Sequence, residues 1–164
     1  MQTFTPLTMK NIFKTALIFV LPLVISACSK KDDEQSKPNE AIIKVEVTNN
    51  QTSNFEEVLN IQVVGEHMSK TEVTGVIWDE VENPAPNTKW FMKQGDTKPT
   101  IVYQTTDKVV SLTYASVINS KQSTTTPLIT TLKFFIDNKL VKTETITTLD
   151  QMSQVSIPIV VSTF

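Results

Sequence analysis

Few residues in this chain could do chemistry, and they are scattered along it. The sequence holds one histidine, His67, and one cysteine, Cys28, which excludes an intramolecular disulfide and any multi-histidine or cysteine-rich metal site. His67 stands in the polar stretch Gly65-Glu66-His67-Met68-Ser69-Lys70. Hydrolysis by a nucleophile needs that group, a base and an orienting residue to converge in space. A serine two positions from a histidine is no sign of such convergence, and no glycine-rich elbow flanks any serine, so His67 reads as an exposed loop residue. Asp79, Glu80 and Glu82 with Asn83 offer oxygen ligands of the kind calcium takes. Alternation would send Asp79 and Glu80 to opposite faces of a strand, however, and there is no Asp-x-Asp-x-Asp-Gly loop. Glu56-Glu57 could supply half of a glycosidase pair, but nothing identifies a second carboxylate at a fixed separation. The sequence therefore points to no catalytic residue, no metal and no cofactor. Trp78 and Trp90 remain as candidate ligand-binding residues, because flat indole rings stack on sugars and anchor protein interfaces. Most of the aromatics Trp78, Trp90, Phe91, Tyr103 and Tyr114 are expected to fill the core, and since Trp90 and Phe91 point to opposite faces of one strand, one of those two is a candidate for exposure.

Cys28 has a different context. Lys10 and Lys14 precede the apolar run Ala16–Ile25, which is too short to span a bilayer comfortably and has the basic start of a signal peptide. The run ends in Ile25-Ser26-Ala27-Cys28, which resembles the lipobox of bacterial lipoproteins. That resemblance implies diacylglyceryl transfer to the Cys28 sulfur, cleavage between Ala27 and Cys28, and acylation of the new amine. Two or three acyl chains hold a protein on a membrane where one would not. Met9-Lys10-Asn11 begins a normal basic region, so translation is expected to start at Met9. Next comes Ser29-Lys30-Lys31-Asp32-Asp33-Glu34, in which Lys31, Asp32 and Asp33 resemble the lysine-then-acidic export signals of Bacteroidota surface lipoproteins. The resemblance implies display on the outer face of the outer membrane. The stretch from Ser29 to Glu40 is charged, contains Pro38 and is too polar to fold, as a tether should be. The expected organisation is a signal peptide over residues 1–27, a lipidated tether over 28–40 and a folded body over 41–164.

Charge narrows the partners. All 15 basic residues are lysine, and removing Lys10 and Lys14 with the signal peptide leaves 13 lysines against 17 acids, a net charge near −4. Without arginine or a basic stripe, nucleic acid is not an expected partner.

The body must then position whatever site exists, and from Ala41 onward its pattern has period two. Ile43, Val45 and Val47 alternate with Lys44 and Glu46, and Leu59, Ile61 and Val63 with Asn60 and Gln62. Val110-Leu112-Tyr114, Leu132-Phe134-Ile136 and Val155-Ile157-Ile159 follow the same rule. Each run gives an extended strand one apolar face and one polar face. Asn49–Asn54, Gly65–Lys70, Asn83–Asn87, Gly95–Pro99 and Ser120–Pro127 read as loops, and Thr105–Lys108 as a tight hairpin. Asp137-Asn138 fits the positive φ that a primed hairpin turn demands. Some seven to nine short strands at this spacing predict an all-β, antiparallel β-sandwich that resembles the immunoglobulin-like or transthyretin-like sandwiches by pattern, with a small barrel as the competitor.

Together these readings predict a surface-exposed outer-membrane lipoprotein, attached through its lipid, whose sandwich is a non-enzymatic binding or structural module for a glycan or protein. The alternative is a small extracellular hydrolase or an accessory subunit of a carbohydrate-processing system.

Overall fold

The alternating runs all become strands in the computed structural model, which describes residues 38–149 and 152–164. Ten strands follow in order: β1 (Ile43–Asn49), β2 (Phe55–Val64), β3 (Val73–Thr74), β4 (Glu80–Ala85), β5 (Thr88–Asp96), β6 (Thr100–Thr105), β7 (Ser111–Ser120), β8 (Leu128–Ile136), β9 (Lys139–Thr148) and β10 (Ser153–Val160). They form two five-stranded sheets, β3-β6-β1-β8-β9 and β10-β7-β2-β5-β4, in which every pairing is antiparallel. The two ladders are separate, so the protein is a sandwich and not a barrel. The described residues form one compact unit.

The inner faces come from the residues that the alternation marks. Ile43, Val45 and Val47 of β1 meet Leu59, Ile61 and Val63 of β2, Leu112 and Tyr114 of β7, and Leu132 and Phe134 of β8, all buried. Burial of this kind contributes roughly 25 cal/mol per Å² of apolar surface and is the main force holding the sheets together. A chain of rings crosses between the sheets: Phe91 to Trp78, Trp78 to Tyr103, Tyr103 to Tyr114 and Tyr114 to Phe134, with centroids 5.4, 5.8, 6.4 and 6.5 Å apart. The turn at Asp137 and Asn138 has φ values of 45° and 68°, the left-handed geometry that its residue types predict. Gly75 (φ +119°) lets the chain leave β3 against β6, since a Cβ there would lie 2.2 Å from the Val102 carbonyl oxygen.

Three local expectations are corrected. Asn83–Asn87 is not all loop, because β4 runs through Pro84 to Ala85. β4 is the outer strand of its sheet and is bulged between Glu82 and Ala85, so the missing N–H of Pro84 costs no ladder bond. β5 continues through Gly95 and Asp96, which pair with Glu57 and Glu56, so that loop shrinks to Thr97–Pro99. Thr105–Lys108 is not a hairpin: β6 and β7 belong to different sheets, and the segment crosses the sandwich with Val109 bridged to Ala41. The polar residues that mark a turn are the same for both kinds of connection.

Candidate site: a cleft above Glu57

The inner face of the second sheet is not wholly apolar. In β2 the alternation Phe55, Glu57, Leu59, Ile61, Val63 puts a carboxylate among core residues. Ser116 holds the equivalent place in β7, between Tyr114 and Ile118, and Thr130 does so in β8, between Leu128 and Leu132. Asn49 ends β1 at the same level, with its Oδ1 accepting a hydrogen bond from the Thr130 hydroxyl at 2.6 Å. This polar layer divides the interior. On one side lies the large cluster described above, and on the other a small one of Phe55, Ile118 and Leu128.

Glu57 is the charged member of the layer. Tyr114, fully buried, donates its hydroxyl proton to Glu57 Oε1 at 2.7 Å. Burial pushes the Glu57 carboxyl above the usual glutamate range, and hydrogen bonding from Tyr114 and Ser116 only partly offsets it. Burial and the nearby Glu57 charge likewise push the Tyr114 and Tyr103 phenols up. Among the described residues no lysine forms an ion pair with Glu57.

Above Glu57 the sandwich is open. The register places Gly95 of β5 opposite Glu57, where every other strand position would send a side chain inward. A Cβ at Gly95 would meet nothing within 4 Å. The result is a cleft of about 350 Å³ between β2 and β5 on one side and β6 on the other. Leu59, Val76, Ile101 and Tyr103 form its walls, and Thr97 and Lys98 close one end. That end is pinned: Asn49 Nδ2 donates to the Lys98 carbonyl at 2.7 Å, and the Thr97 N–H donates to the Phe55 carbonyl at 3.3 Å. Lys93 reaches the rim but is engaged by Asp79 at 2.5 Å. Asp96 lines the cleft through its place in β5, yet it pairs opposite Glu56 and its carboxylate holds Lys121 at 2.6 Å. It is therefore directed to the other face of the sheet from Glu57.

The chain spans most of several solved structures. It is similar to a DUF4425 family protein from Bacteroides ovatus, at 14% identity and a TM-score of 0.50 over 74% of this chain and 95% of that one. A domain of unknown function, DUF4425, from Bacteroides vulgatus matches at 16% identity and a TM-score of 0.48, covering 73% and 94%. A calcium-bound protein from Parabacteroides distasonis matches at 12% identity and a TM-score of 0.48, covering 79% and 99%. The likeness is one of fold. No family model matches the chain, and no curated protein matches it.

The sequence-selected residues fall elsewhere than the cleft. His67, Glu66 and Ser69 are exposed in the β2–β3 connection, while Met68 between them is buried. Asp79 accepts from Lys93 Nζ and from the Gln94 N–H, which hold its carboxyl below the usual aspartate range. Glu80 and Glu82 share the outer face of β4, where the hydrogen bond and charge of Glu80 push the Glu82 carboxyl up. Among the described residues, no three of His, Cys, Asp and Glu gather closely enough to hold a metal. Trp78 is half-buried in the ring chain and donates its indole N–H to the Val73 carbonyl at 2.6 Å. Trp90 faces away from Phe91, half-buried on the outer face of its sheet between Glu82 and Gln62. Ala27, Cys28, Lys31, Asp32 and Asp33 lie outside the described residues. Glu57 was the residue whose role sequence reasoning missed. Counting back by twos from Val63 to Phe55 places it inside, and that is the signal that marks it.

Proposed function

We propose that the protein is a lipoprotein held in the outer membrane by acyl chains on Cys28, displayed at the cell surface through Lys31, Asp32 and Asp33, and that its sandwich is a non-enzymatic binding module. One observation carries the binding role. The cleft above Glu57 opens beside Asn49, at one end of β1, and the chain joins the body at Ala41, before the other end. Seven residues of extended chain separate those ends by roughly 20 Å. A tether joined at residue 38 thus leaves the open end of the sandwich free for a ligand. The cleft's single inward carboxylate, with Asp96 directed to the other face, supports binding over glycoside hydrolysis, which calls for two facing carboxyls.

The anchor is tested in cells. Cys28→Ala is expected to accumulate as precursor and to lose labelled palmitate, and unchanged labelling would refute lipidation. Replacing Lys31, Asp32 and Asp33 with alanine should keep the protein in the membrane fraction while protecting it from protease added to intact cells. Equal digestion of variant and native protein would reduce the run to a tether.

A further inference from the structure

Three features of the cleft define what would fit it. Its inner walls are carbon: Leu59, Val76, Ile101 and the ring of Tyr103. Its base is a carboxylate that accepts from Tyr114 through Oε1, has the Ser116 side chain as its other neighbouring donor, and pairs with no cation among the described residues. Its width comes from Gly95, directly across from that carboxylate, with free space where a Cβ would be. A cleft with apolar inner walls, a polar rim and an acceptor-only group at its base is the complement of a carbon chain ending in a cation. The carboxylate has been taken partly out of water and no lysine is ion-paired with it, so a ligand's ammonium would supply the missing charge. An aromatic wall favours the same class, since a cation near a ring face is attracted by its quadrupole. The cationic rim does not oppose it strongly: Lys93 is neutralised by Asp79, and Lys98 is exposed to solvent.

Resting on the reading of the sandwich as a binding module, we propose that the cleft takes a primary alkylammonium group, the chemistry of a lysine side chain or a free aliphatic amine. The carbon chain lies against Leu59, Val76, Ile101 and Tyr103, and the ammonium donates to the Glu57 carboxylate. An alcohol of the same length would bury the same carbon but bring no charge, so discrimination between the two resides in Glu57.

The test is a titration of the full chain in neutral detergent with n-pentylammonium chloride, followed by amide shifts in nuclear magnetic resonance. Saturable shifts at Leu59, Gly95 and Thr97 are expected, with 1-pentanol binding about tenfold or more weakly. Glu57→Gln, which keeps the volume and an acceptor for Tyr114, should weaken amine binding by about the same factor. Gly95→Leu, which grows into the open space without touching Glu57, should block both ligands. Absence of saturable shifts in the cleft, equal binding of amine and alcohol, or full affinity in Glu57→Gln would each overturn the proposal. None of these results bears on lipidation or display, which the labelling and protease experiments decide. If a longer N-acetyl-lysine amide binds with the same Glu57 dependence, a protein lysine is the source; if only the free amine does, a small molecule is.

Discussion

Two charged side chains enter the same inner face from opposite ends of the β2–β5 pair, and the protein treats them differently. Lys89 pairs across from Val63, and Glu57 lies across from Gly95. Lys89 is 5% exposed, yet its Nζ donates to the Thr71 carbonyl and to Glu72 Oε1, both at 2.8 Å, and it stands 5.3 Å from the Phe91 ring centroid. Its charge is answered within the fold, and it ties the segment leading into β3 to the opposite sheet. Glu57 has hydroxyl donors but no paired cation among the described residues, and an open cleft lies beside it. A buried charge that the fold satisfies is a fastening; one that it half satisfies is a place for something else.

The largest effect that would test this contrast is at Lys89. Lys89→Ala removes a buried stem and leaves the Thr71 carbonyl without its partner, at a cost of about 3 kcal/mol. Urea unfolding should show that loss, and a change within error of zero would deny the fastening role.

Glu57→Gln should do the reverse. At low pH both the folded and the unfolded chain hold the Glu57 proton. As pH rises past the ordinary value of 4.5, the unfolded chain releases it first, so stability falls until the folded carboxyl also ionises, and the loss then persists to neutral pH. Glutamine removes that term. The variant is expected to melt about 4 °C higher than the native protein at pH 7 and to converge with it near pH 4. A lower melting temperature at pH 7 would mean that the carboxylate is better satisfied than its surroundings suggest. Stability gained by the substitution that removes amine binding is the usual signature of a functional group held at a cost.

The smallest effect lies at the outer end of the Lys89 fastening. Glu72 is more than half exposed, so Glu72→Gln should cost no more than about 1 kcal/mol and the difference should shrink in high salt. A loss as large as that from Lys89→Ala would shift the weight from the buried carbonyl to the ion pair.

Strand positions were legible because burial on one face imposes alternation, and β1, β2, β8 and β10 display it without interruption over their apolar stretches. β4 was not, since its proline is tolerated only because no strand lies beyond it, a fact of sheet order and not of local sequence. Lys89 and Glu57 were hidden for a related reason: a charged residue reads as the solvent face until its neighbours two positions away fix the phase. Gly95 looked like a loop glycine, and only its register against Glu57 shows it to be the gap that makes the cleft. Trp78 advertised a stacking surface, whereas its N–H is committed to Val73 and its ring to Phe91 and Tyr103.

The position of β1 has a consequence for the order in which the molecule can be made. Val45, near the start of the folded body, sits between Tyr103 of β6 and Phe134 of β8, so the first strand to emerge has no partner until much of the chain has followed. The β8–β9 hairpin, closed by Asp137 and Asn138, needs no such wait. Contacts of such long separation slow folding. The local hairpin can form early, while β1 docks only when β6 and β8 are in place. The N-terminal strand of the body is thereby expected to be among the last parts to lose its freedom while the rest of the sandwich assembles.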